Sequence, residues 1–118
     1  MTQNKEQLAD EVMKTMVQKL NENKGLTSGW GKTVQQVFTD IGVGYRLRFA
    51  MDGTVTSEKV PASQINLKDA AATVTTDYVE TMKGFLDGSI NPMEAMGNNL
   101  IKIHGDMQAL FKLLPAIG

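Results

Sequence analysis

Residues 77–114 read DYVETMKGFLDGSINPMEAMGNNLIKIHGDMQALFKLL, and this stretch decides how the rest of the chain is read. Asp77, with Glu80 three residues later, has the spacing of a helix N-cap, so a helix is predicted over 77–86. Its apolar face is Tyr78, Val79, Met82, Phe85 and Leu86. Gly84 costs that helix roughly 1 kcal/mol relative to Ala unless close packing wants the space. Gly88 and the Asn91-Pro92 pair end it, and a short helix over 93–96 follows. Leu100, Ile101, Lys102, Ile103 and His104 form a brief strand, and Gly105 turns the chain. The last helix, 106–114, stops before Pro115 and places Met107, Leu110, Phe111 and Leu114 at i, i+3, i+4 and i+7. Met82, Met93, Met96 and Met107 are spread over all three helices. Methionine is unbranched and adaptable, and a surface rich in it repacks around apolar partners of different shape. We read these helices as the lining of an apolar cavity beside a small sheet. A Met/Leu face looks the same when it only meets other side chains, so a filled core is the alternative.

Upstream, residues 1–22 carry an N-terminal helix with Leu8, Val12, Met16 and Leu20 on one face and Met13 and Val17 beside it. The glycine-rich connection that follows holds Trp30, read as a plug over the edge of the core. Residues 33–41 fit a helix face or a strand equally well. A strand is expected, because the next segment needs a neighbour. In that segment Val43, Tyr45, Leu47, Phe49 and Met51 alternate with Gly44, Arg46, Arg48, Ala50 and Asp52, the pattern of a sheet covered on one side. Asp52-Gly53 favours a tight hairpin into a third strand, 54–59. Pro61 breaks the connection after it, and the Thr-Val-Thr end of residues 70–75 favours a fourth strand despite the alanines. We expect one domain over 1–118, with strands in 33–75 and, in 77–114, helices with one intervening strand.

The 118 residues suffice for one core without disulfide or metal, and there is no cysteine. Twelve basic against thirteen acidic residues leave a net charge of −1, so nothing global attracts nucleic acid. The polar start signals no secretion, and no run approaches the roughly twenty apolar residues that span a bilayer. A cytoplasmic location is expected. His104 is the single histidine and has no Ser or Asp partner in a recognisable motif. Gly42-Val43-Gly44 precedes no helix and reads as a turn, not a phosphate loop. Arg46 and Arg48 share a strand face that can meet an anion or simply water. No carboxylate pair suits acid–base work. No enzyme, metal or cofactor is expected; an enzyme built on His104 and Asp106 ranks last.

Residues 70–114 resemble the sterol carrier protein type 2 domain family. The likeness rests on a strand of Ala-x-x-Thr-x-Thr type (70–75) feeding an acidic-capped helix. Gly88-Ser89-Ile90-Asn91-Pro92, the helix Met93-Glu94-Ala95-Met96, and the strand-to-helix junction from Lys102 through Gly105-Asp106-Met107 follow in the family's order. Ile90 replaces the family's usual leucine. The resemblance implies an α+β fold: a five-stranded, mostly antiparallel sheet with helices over one face and a hydrophobic tunnel between. It implies a non-catalytic intracellular carrier that shelters a fatty acid, fatty acyl-CoA, phospholipid or sterol-like chain. The implied wall residues are Met82, Phe85, Leu86, Met96, Ile101, Met107, Leu110, Phe111 and Leu114, joined by Val12 and Met16. Lys32 is the candidate head-group contact. Eukaryotic members often end in a peroxisomal tripeptide, whereas this sequence ends Ala116-Ile117-Gly118. Transient membrane contact and a monomer or weak homodimer fit such a protein. Each buried methylene contributes about 0.8 kcal/mol, so affinity would follow chain length more than head group. The competing function is a structural or dimerisation module with a filled core, accessory to a larger enzyme or partner.

Overall fold

The computed structural model describes residues 4–117, without the side chains of residues 92, 114, 116 and 117. In chain order the elements are α1 (Lys5–Glu22), β1 (Thr33–Phe38), β2 (Val43–Phe49), β3 (Val55–Pro61), β4 (Ala72–Thr76), α2 (Val79–Asp87), α3 (Pro92–Gly97), β5 (Ile101–Gly105) and α4 (Met107–Ile117). The strands form one sheet in the order β3-β2-β1-β4-β5. β1 and β4 run parallel, and the other three pairs are antiparallel.

The ambiguous segment after Lys32 is thus a strand, and it lies at the centre of the sheet. Register puts Val34, Gln36 and Phe38 of β1 beside Leu47, Tyr45 and Val43 of β2 and beside Ala72, Val74 and Thr76 of β4. Because side chains alternate along a strand, all of these point to one face, which the four helices cover. The opposite face is crossed by the residues after β3. There Ile65 packs where a Cβ on Gly44 would otherwise stand, so this glycine is required by close approach. Beside it, buried Gln35 accepts a hydrogen bond from Arg46 Nε at 3.3 Å and donates to Thr73 Oγ1 at 2.9 Å. Arg46 and Arg48 both pair with Glu58, at 3.0 and 3.2 Å, so the two cations already share a carboxylate.

Helix α1 packs through Ala9, Val12, Met13, Met16 and Leu20. The side chain of Asn4 caps it by accepting Glu6 N–H at 2.8 Å. The side-chain amide of Asn21 bonds both backbone groups of Val55, accepting its N–H at 2.9 Å and donating to its carbonyl at 3.1 Å. Tyr45 reaches through the layer to donate its hydroxyl to Asp10 Oδ1 at 2.6 Å, and Lys59 pairs with the same carboxylate. The Tyr45 hydroxyl, and then Lys59, hold the Asp10 carboxyl below the usual carboxylate range. A carboxyl lowered by folding stabilises the native state above its unfolded value of about 3.9, and that contribution fades as pH falls through the folded value. Asp10→Asn is therefore expected to be less stable than the parent at pH 7, with the gap closing towards pH 2. Urea melts at the two pH values check this.

Two helix boundaries depart from expectation. Asp77 does not cap α2, which starts at Val79 behind Tyr78. Asp77 instead accepts the Thr39 hydroxyl at 2.9 Å. The N–H of Val79, in the first turn of the helix, donates to Asp40, at 3.2 Å, a residue distant in sequence that also pairs with Lys5. Helix α4 runs through Pro115 instead of stopping before it. So close to the helix end, proline removes a single N–H donor from the last turn, which is a tolerable loss. Gly84 meets its close-packing condition, since a Cβ there would strike the side chain of Ile90.

Candidate functional site

Between the covered sheet face and the helices lies a void of about 70 Å³. A water-sized group needs roughly 10–15 Å³ by the same measure, so the space holds about five such groups. Its floor is Val34, Gln36 and Leu47 on the central strands and Val74, Ile101 and Ile103 towards the β5 edge. Met16 of α1, Met82 and Phe85 of α2, Met96 of α3 and Leu110, Phe111 and Leu113 of α4 line it from above. Gln35 completes the lining. Among the described residues no polar atom is exposed to the void. Gln36 explains how a glutamine can sit in such a wall. Its Nε2 donates to the Val37 carbonyl and to Thr76 Oγ1, both at 3.1 Å, which keeps the amide engaged with the sheet. Among the described residues no titratable side chain lines the void, and they offer an apolar guest contact without charge.

Seven of the residues singled out from sequence meet here: Met16, Met82, Phe85, Met96, Ile101, Leu110 and Phe111. Val12 and Leu86 do not; they line a shallow groove outside, between α1 and α2, together with Leu8. Met107 is not at the wall either. Helix α4 buries Ala109 and Leu113, so the face expected at Met107, Leu110, Phe111 and Leu114 is rotated, and Met107 is 39% exposed. The side chain of Leu114 lies outside the described residues. Lys32 is exposed and away from the void; its carbonyl accepts Phe49 N–H at 2.9 Å. Sequence reasoning missed the floor residues Val34, Gln36, Leu47, Val74 and Ile103, and Leu113 above them. The alternation around Leu47 was a usable signal for its share of that floor.

His104 is exposed on β5, opposite Thr73 in register and therefore on the far face of the sheet. Trp30 does pack over the core's edge, with its ring centroid 5.0 Å from that of Phe49 in an edge-to-face arrangement. Among the described residues no group of three or more His, Cys, Asp or Glu is placed to hold a metal ion. Among them, too, no helix is long and apolar enough to cross a membrane.

Compared with solved structures, the chain is similar to sterol carrier protein 2 from Aedes aegypti in complex with the C16 fatty acid palmitate. The TM-score is 0.67 at 17% identity, over 100% of this chain and 97% of that one. This chain has the sterol carrier protein 2 fold. The same fold relates it to UbiJ, a ubiquinone synthesis protein, with TM-score 0.65 and 13% identity over 96% of this chain and 95% of the other. It is also similar to part of an inverting sec-alkylsulfatase from Pseudomonas sp., with TM-score 0.67 and 20% identity over 80% of this chain. There the match spans only 14% of the sulfatase's length. No protein-family model matches the sequence, and no curated protein matches it. Within the sterol carrier protein 2 fold, the void occupies the space between the sheet and its helical cover.

Proposed function

We propose that this chain is a non-catalytic lipid-binding domain that shelters an apolar chain in the void beneath α2, α3 and α4. The observation that carries this reading is the character of the wall: a space at the centre of the fold to which, among the described residues, only apolar atoms are exposed. Water gains nothing there, because it needs two to four polar partners, whereas each methylene that enters leaves water at a gain of about 0.8 kcal/mol. Flexible methionines, Met16, Met82 and Met96, supply three of the walls and can give way to a longer guest. The likeness to a sterol carrier protein 2 solved with palmitate supports the same reading. The partial match to the sec-alkylsulfatase supports a variant of it, in which such a domain serves as an accessory to a larger enzyme.

The test fills the void from its floor. Val74 is buried on β4 with its side chain at the cavity. Val74→Phe is expected to keep the fold, because an aromatic suits a strand and occupies existing space. It should weaken binding of a fluorescent fatty acid by tenfold or more. A variant that melts like the parent and still binds the probe equally well would place binding elsewhere. Organic extraction of the purified protein, followed by mass spectrometry, identifies what it carries.

A further inference from the structure

The void is too small for a long chain, and one residue joins it to more space. Phe111 lines the void and also lines a surface groove of about 450 Å³, together with Trp30, Asp106, Gln108, Ala109 and Lys112. It is the one described residue common to both sets. Phe111 is 37% exposed and borders both spaces, so it stands as a partition between them. The groove differs in character from the void. Trp30 gives it a rigid aromatic wall, braced by Phe49. Lys112 gives it a cation with no ion-pair partner among the described residues. The carboxylate on the same groove, Asp106, is committed to α4, since its Oδ1 accepts Gln108 N–H at 2.9 Å.

We propose that this groove holds the head of the ligand, with Lys112 Nζ as the partner of an anionic carboxylate or phosphate, and that Phe111 is the gate through which the chain passes into the void. The proposal rests on the lipid-binding reading and sharpens it to a single-chain anionic amphiphile. The physical basis is a division of labour. Among the described residues the wall of the void offers no polar atom, so a charged head must stay outside, and a chain longer than the void must continue into the groove next to it. A solvated lysine lets the head keep part of its hydration while gaining a charged partner. The site lies on α4 and the Trp30 loop, and Lys32 has no part in it.

Trp30 is the only tryptophan, so its emission reports occupancy of the groove directly. The probes are dodecanoate, dodecyl phosphate and dodecanol, which share a chain and differ in head. We expect both anions to shift the Trp30 emission and to bind roughly five- to tenfold tighter than dodecanol. The stronger of the two identifies the head as carboxylate or phosphate. Lys112→Met keeps the stem and removes the charge, and it should erase the preference for anions. Asp106→Asn keeps a capping side chain and removes the opposing charge, so it should tighten both anions. Phe111→Ala should raise the association rate of dodecanoate in stopped flow. If the preference for anions survives Lys112→Met, or dodecanoate binds without moving Trp30 emission, or the rate is unchanged in Phe111→Ala, the groove and gate are wrong while lipid binding stands. If none of the three probes binds, the lipid-binding reading itself fails.

Discussion

Replacing Phe38 with alanine is expected to remove about 3–5 kcal/mol of stability, the cost of deleting a buried aromatic that leaves a cavity. Phe38 has no exposed surface and is the largest of the fully buried side chains among the described residues. It ends β1 at the middle of the sheet, flanked in register by Val43 and Thr76. Its ring meets Tyr45 edge-to-face at 5.8 Å, an arrangement that adds to the area it buries. Elements on both sides would have to shift to refill the gap, and a central strand has little freedom to do so. A domain holds about 5–15 kcal/mol in total, so the variant should melt at much lower urea or populate the unfolded state without it. Tyr45→Phe serves as the comparison, because it keeps the ring contact and loses only the hydroxyl bond to Asp10. A loss below about 1 kcal/mol in Phe38→Ala would show that this part of the core repacks freely.

Gly105→Ala should be the most damaging of the small substitutions. Gly105 has φ +99°, where L residues are strained, and an added Cβ would run into the carbonyl oxygen of Ala71. That same oxygen accepts Asp106 N–H at 2.8 Å, so the clash also threatens the bond that sets where α4 begins. Strain of this kind costs about 1–3 kcal/mol before the lost bond is considered. The functional effect follows from position: Leu110, Phe111 and Leu113 ride on α4 and form the cavity's cover. We expect a stability loss of at least about 2 kcal/mol. Binding of the fluorescent fatty acid should weaken under conditions where the variant is still folded. Gly97→Ala on α3 is the contrast, since a Cβ there meets nothing within 4 Å. It should be neutral or stabilising by up to about 1 kcal/mol. Equal behaviour of the two variants would mean that glycine content, not this junction, governs the result.

Much of the fold was legible because its signals are local. The alternation of β2 identifies its covered face, Asp52-Gly53 places the turn to β3, and Gly88 with Asn91-Pro92 divides α2 from α3. The misreadings lie where a distant residue competes for a local role. Asp77 has the right spacing to cap a helix, but Asp40, brought in from the end of β1, takes the backbone N–H of Val79. In α4 the apolar positions cover so much of the circumference that periodicity does not select one face, and tertiary packing chose Ala109 and Leu113. The cavity was half legible for a related reason. Helix periodicity shows that Met82, Phe85 and Leu110 face inward, but whether they meet atoms or space depends on sheet register. The floor residues Val34 and Val74 become neighbours only when two strands distant in sequence pair.

That pairing, the parallel contact of β1 with β4, also governs the order in which the molecule can assemble. β1, β2 and β3 follow one another directly and can close as a meander while the chain is still being synthesised. The second half of the floor must wait until residue 76 has emerged, and closing so long a loop slows it further. Until then β1 presents a bare edge of unpaired backbone N–H and C=O groups, of the kind that invites pairing with other chains. A nascent chain of which about 71 residues have emerged is therefore where chaperone capture and aggregation should concentrate.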